Sequence, residues 1–171
     1  MTEQRTGWSR WPDDWPATKD GAGCVLCAFV ANEDPAWGVR IYTGQVANAY
    51  LATIGQMRGY CWVIWRDGHV CEPTDLDPAD AQLFFADMLT VGRALQDLLE
   101  PAKLNYEILG NKVPHLHAHV VPRPVVDPHP GGALPWTYLD DGCPDPGEVH
   151  ALAAHLRSRL GETGDPASER R

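Results

Sequence analysis

The sequence is short of positive charge. Of its 171 residues, 14 are Lys or Arg and 23 are Asp or Glu, a formal net charge of −9. A chain that neutralises phosphate backbones needs a basic surface, so this balance argues against a nucleic-acid binder. A small anionic substrate stays open, because a pocket can be locally positive inside an acidic shell. Long apolar runs are also missing. No stretch approaches the roughly 20 residues of a membrane span, and Met1 is not followed by a basic-then-apolar segment. A cytoplasmic protein with no membrane association is therefore expected. Nor is there an even set of cysteines: Cys24, Cys27, Cys61, Cys71 and Cys143 are five. Without an export signal, an odd count argues against a disulfide framework. The Cys24–Cys27 spacing reads equally as half a metal site or as two buried thiols acting as small hydrophobes.

What is present is enough apolar material for one core, with 44% of residues hydrophobic and 22% charged. Residues 1–22 are polar, with Trp8, Trp11 and Trp15 among prolines and aspartates, and hold neither a helical nor a strand period. They read as an arm whose tryptophans dock on the domain or on a partner. Residues 39–42, 47–52 and 60–65 are β-branched and aromatic runs punctuated by Gly44, Gly55 and Gly59, the texture of an antiparallel sheet. Asp77-Pro78 then opens a long helix, with Asp as N-cap and Pro at the first helical position. Its apolar positions Ala81, Phe84, Phe85, Met88, Val91, Leu95, Leu98 and Leu99 keep a helical period, and Pro101 ends it. Residues 104–109 and 114–121 predict two further strands, and a Pro- and Gly-rich loop follows. A short C-terminal helix starts at Asp145-Pro146 and stops at Gly161. The order predicts an α+β domain over residues 23–160 with a mainly antiparallel sheet, followed by a disordered tail at 161–171.

The chemistry is concentrated in His115-Leu116-His117-Ala118-His119. In a strand this alternation places three imidazoles on one face, with neighbours about 6.5–7 Å apart. One such histidine is ordinarily a satisfied core residue. Three at period two are hard to bury, since each ring needs partners for two nitrogens. Two chemistries fit the spacing: a catalytic metal with an open position, or a middle histidine acting as nucleophile towards phosphorus with its neighbours orienting it.

The run from Gly110 through Arg123, with His115, His117 and His119 each followed by an apolar residue and closed by Pro122-Arg123, resembles the histidine-triad superfamily of nucleotide hydrolases and transferases. Cys24, Cys27 and His69 match further positions of its zinc-bearing branch, and the resemblance covers about residues 22–136. It implies a histidine-triad-like fold, with a structural Zn2+ held by Cys24, Cys27, His69 and His115, a set that leaves no vacancy. It implies His117 as nucleophile towards a nucleotide-like phosphoanhydride, phosphoramidate or ester. His119 and Asn111 would assist, and a covalent intermediate would pass to water or another acceptor. It also implies a homodimer formed through the long helix and a sheet edge.

The sequence departs from the family pattern in three places. Tyr60 stands where many relatives carry a fourth histidine, Asn111 where a Gln is common, and Ala52-Thr53 where a residue holding the ribose is expected. Tyr60, Arg123 and Thr53 are the candidate substrate-binding residues, with Arg123 placed to hold phosphate oxygens bidentately. Two other readings stand beside the enzyme: a hydrolase in which His115 and His117 share a catalytic ion, and a zinc-stabilised module of this fold with lost or diverged activity.

Overall fold

A computed structural model describes residues 10–161. Trp8 and the segment 162–171 lie outside the described residues. Five strands form one antiparallel sheet: β1 (Gly38–Thr43), β2 (Ala47–Ala52), β3 (Cys61–Trp65), β4 (Lys103–Glu107) and β5 (His117–Arg123). Their spatial order is β1-β2-β3-β5-β4, so the histidine strand is inserted between β3 and β4. The helices are α1 (Trp15–Lys19), α2 (Val25–Ala31), α3 (Pro78–Leu99), α4 (Thr137–Asp140) and α5 (Pro146–Leu160).

The two long helices follow from their sequence signals. The Asp77 carboxylate accepts from the backbone N–H of Ala79 and Asp80, and the Asp145 carboxylate accepts from that of Glu148. At the far end of α5, Gly161 takes the left-handed conformation that stops a helix, with φ 78°. Phe84, Met88, Val91 and Leu95 recur at helical spacing on α3. They bury against Ala47, Ala49, Cys61, Val63, Ala118 and Val120 on one face of the sheet, where Val149, Leu152 and Leu156 of α5 join them.

The side chains of alternate parity point to the opposite face. There Ala52, Tyr60 and Val121 pack with Met57, Leu134 and Leu139 from the loops. Trp62 of β3 lies directly opposite Tyr50 of β2 on one side and His119 of β5 on the other. This second face carries the histidines.

Four local features differ from the sequence-based expectations. The segment 10–22, in which no period is legible, contains the short helix α1. The cysteine pair lies at a helix start: Cys24 is the N-cap of α2, its sulfur accepting from the backbone N–H of Cys27 at 3.4 Å. The strand expected over 114–121 begins only at His117, and that expected over 104–109 runs from Lys103 to Glu107. Leu116 still makes lateral bonds, its N–H donating to Val70 O and its carbonyl accepting from Trp65 N–H. His115 sits just outside the ladder, in a bend that turns its ring away from its two neighbours.

Candidate active site and metal centre

The bend before β5 divides the histidine run into two parts. His115 faces Cys24, Cys27 and His69, while His117 and His119 pair with each other, ring centroids 4.8 Å apart.

In the first part, one donor atom from each of Cys24, Cys27, His69 and His115 lies within 4.8 Å of the others. The Nδ1 of His115 is 3.5 Å from Cys24 Sγ and 3.3 Å from Cys27 Sγ, and the Nδ1 of His69 is 3.5 Å from Cys27 Sγ. A tetrahedral zinc with bonds of about 2.3 Å to sulfur and about 2.0–2.1 Å to nitrogen has S···N edges of about 3.5 Å. The three S···N separations match such an ion. Their orientation fits as well. The Nε2–H of His115 donates to Trp65 O at 2.8 Å, and the Nε2–H of His69 donates to Lys19 O at 3.0 Å. Both rings are thereby set in the tautomer that turns a bare Nδ1 to the cluster, as ligand histidines ordinarily are. Burial, with the Cys24 sulfur alongside, pushes the Cys27 thiol up to about 11. A cation at the centre would reverse that preference and favour the thiolate. The cluster is compatible with zinc.

In the second part, the Nδ1–H of His117 donates to the carbonyl of His115 at 2.6 Å. A carbonyl only accepts, so the neutral ring carries its lone pair on Nε2. Burial lowers the His117 pKa from its ordinary value, against the opposing pull of that backbone hydrogen bond, and the ring is neutral near pH 7. Nε2 is therefore the ring nitrogen that carries the lone pair. His119 is 7% exposed, with its Nδ1 2.6 Å from the Tyr60 hydroxyl. The Trp62 indole N–H donates to that same hydroxyl at 2.5 Å.

The remaining sequence candidates fall in distinct places. Asn111 is exposed on the turn that precedes the histidines. Tyr60 is 2% exposed and turns its hydroxyl to His119. Gly59, at φ 82° with Leu99 packed where a Cβ would stand, lets the chain enter β3 at that angle. The hydroxyl of Thr53 donates to Ala36 O at 2.6 Å, pinning the entry to β1. Arg123 is the clearest departure from expectation. Its Nε and Nη2 pair with the two carboxylate oxygens of Asp127, both at 2.6 Å. Its other N–H groups donate to Asn105 Oδ1 and to the carbonyls of His129 and Gly132. All five guanidinium hydrogens are engaged within the chain, and the side chain braces a loop rather than facing the histidines.

Two residues near the pair were not singled out from the sequence. Trp62 was legible only as part of a strand. Trp136 lies in the Pro- and Gly-rich loop, where no periodicity marks it. Its ring makes a T-shaped contact with His119 at 5.3 Å between centroids, and Lys112 Nζ lies 5.5 Å from its centroid.

Comparison with known proteins agrees with this geometry. The chain is 25% identical over 143 residues to "Protein hit" of Bacillus subtilis (strain 168), covering 80% of this chain and 94% of that one. A Zn-bound histidine triad family protein from Mycobacterium smegmatis is 28% identical with a TM-score of 0.55, covering 82% of this chain and 95% of that one. A histidine triad protein from Bradyrhizobium japonicum superposes with a TM-score of 0.66 at 24% identity, covering 72% and 90% of the two chains. The profile of the HIT domain family matches residues 38–125, about half of the sequence, and takes in all five strands from end to end. The chain belongs to the HIT domain family.

Proposed function

We propose that this protein is a hydrolase or nucleotidyl transferase in which His117 Nε2 attacks the phosphorus of a nucleotide-like substrate. Family membership supports nucleotide-processing chemistry in general. The observation that carries the specific reading is the 2.6 Å bond from His117 Nδ1–H to the His115 carbonyl, which presents Nε2 as a neutral nucleophile. As the Nε2–P bond forms, the bond from phosphorus to the leaving oxygen or nitrogen breaks. Water or another acceptor then attacks phosphorus and releases the imidazole. His119 donates a hydrogen bond towards the phosphoryl oxygens or the leaving atom, and Asn111 is close enough in sequence to assist.

Cys24, Cys27, His69 and His115 would hold zinc, whose four protein ligands give it a structural part and no open position for a reacting group. His117, outside that donor set, is reserved for chemistry. We place the protein in the cytoplasm, in keeping with its acidic charge; no helix among the described residues is long and apolar enough to cross a membrane. The exposed Phe85 and Leu89 of α3 and Tyr106 of the edge strand β4 support a homodimer formed there.

The test is intact-protein mass spectrometry during turnover of dinucleoside polyphosphates, nucleoside phosphoramidates and sugar nucleotides. The expected result is a nucleotidyl or phosphoryl adduct on the wild-type chain. His117→Ala should carry no adduct, fall in rate by at least about 1000-fold, and keep stoichiometric zinc. Loss of zinc from His117→Ala would instead favour an ion shared by His115 and His117.

A further inference from the structure

His117 and His119 are adjacent in space but are held by opposite kinds of partner. His117 gives its Nδ1–H to a carbonyl. His119 turns Nδ1 to a phenol that is itself engaged by an indole. We propose that Tyr60, fixed by Trp62, is a positioning residue that donates its hydroxyl hydrogen to His119 Nδ1. His119 is thereby held in the tautomer opposite to that of His117, with its proton on Nε2.

The argument starts from the indole. A Trp Nε1–H can only donate, so its 2.5 Å contact occupies an acceptor site on the Tyr60 oxygen and orients the phenol. Between a phenol and a neutral imidazole, the phenol is the stronger acid and the imidazole nitrogen the stronger base. The favoured arrangement is therefore O–H···N, with Nδ1 accepting. The Tyr60 and His119 rings are within 15° of parallel, their centroids 5.8 Å apart. Trp136 packs on the same imidazole with the ring planes at 71°. The imidazole is thus fixed both in rotation and in tautomer. Trp62 faces His119 directly across the β3–β5 ladder, so the same register that builds the sheet sets the triad Trp62–Tyr60–His119.

The consequence is a division of labour. One histidine presents a lone pair on Nε2 and the other presents an N–H on Nε2, without either having to titrate. Tyr60 therefore acts through His119 and not on the substrate. No proton has to leave the imidazole: the Nε2–H donates a hydrogen bond to oxygen atoms on which charge develops. This catalytic consequence rests on the reading of His117 as nucleophile, whereas the tautomer rests on geometry alone.

The test is 15N–1H NMR of the histidine rings in the full chain, with His119 assigned by His119→Gln. The expected wild-type pattern is a protonated Nε2 and an acceptor Nδ1 on His119, and the reverse on His117. Tyr60→Phe should collapse His119 to an average of both tautomers, and Trp62→Phe should move it in the same direction with the phenol retained. On the best substrate, Tyr60→Phe should lower kcat about 10- to 100-fold with KM within about two-fold. Tyr60→His, which can still donate to Nδ1, should recover most of that loss. A wild-type His119 protonated on Nδ1, or ring signals unmoved by both aromatic variants, overturns the proposal; so does a Tyr60→His variant as slow as Tyr60→Phe. If no substrate is turned over, the NMR pattern still decides the tautomer, so failure of the enzyme reading and failure of this one are told apart.

Discussion

Arg123 and Asp127, both with 7% of the side chain exposed, form a two-point ion pair at the exit of β5. The Arg123 guanidinium holds the Asp127 carboxyl below its usual range, helped by the backbone N–H of His129. A carboxyl with a depressed folded pKa contributes stability that is complete above its unfolded value, near 4, and is lost as pH falls through the folded value. The loop from Pro124 to Gly132 should therefore keep its order at neutral pH and loosen only in acid below about pH 4. Asp127→Asn should show the loosened loop already at pH 7, read as faster amide exchange over 124–132 with the helices unchanged. Equal exchange in variant and wild type would sink this account. At this scale the sequence was legible in part. The alternation of His117 and His119, and the Cys24–Cys27 and His69 positions, mark the clusters that the fold assembles. The direction in which Arg123 turns depends on Asn105 and two loop carbonyls, partners 18, 6 and 9 positions away, which no local pattern identifies.

At the scale of elements, the β1–β2 hairpin is held to α3 by one buried carboxylate. Asp87 accepts from the backbone N–H groups of Gln45, Val46 and Ala47 at 2.9–3.0 Å, and is 2% exposed. Gly44 makes room for it, since a Cβ there would lie 2.3 Å from the carboxylate carbon. Removing the acceptor would strand two buried donors, Val46 and Ala47 N–H, and release a third that is part-buried, so Asp87→Ala should cost about 3 kcal/mol. The check is a urea transition whose midpoint falls while its slope is kept; an unchanged midpoint would show that water replaces the carboxylate. The helix that carries Asp87 was the most legible element, because its apolar period spans six turns, Asp77-Pro78 caps its start and Pro101 follows its end. The short helices α1, α2 and α4 were not legible, and β5 was legible but not its start. The seven-residue α2 is too short for a period to emerge and is capped by a cysteine. β5 starts late because the chain bends to direct His115 at the cysteines. The order of strands was out of reach too, since placing β5 between β3 and β4 is settled by which apolar faces meet, not by neighbours in sequence.

At the scale of the molecule, the cysteine–histidine cluster gathers three distant stretches of chain. Besides the four donors, the Lys19 carbonyl that closes α1 accepts from His69 Nε2–H, and the Cys71 sulfur lies between Lys19 O and Pro114 O, at 3.0 and 2.9 Å, with one S–H to share between them. An ion bound there would hold α1 and α2 against the segment leading into β5. Treatment with a strong chelator, or Cys24→Ser, should lower Tm by about 5–10 °C and open residues 10–32 to protease before the sheet unfolds. A pure protein without metal, whose Tm ignores the chelator, would count against the site. The spacing of the donors also bears on biosynthesis. Cys24 and His115 are 91 positions apart, and a ribosome adding about 5–20 residues per second takes about 5–20 s to travel between them. For that interval the nascent chain displays two thiols whose last histidine partner has not yet been made. Loading of an ion there would then depend on a reducing milieu that keeps those sulfurs from joining each other until the last donor emerges.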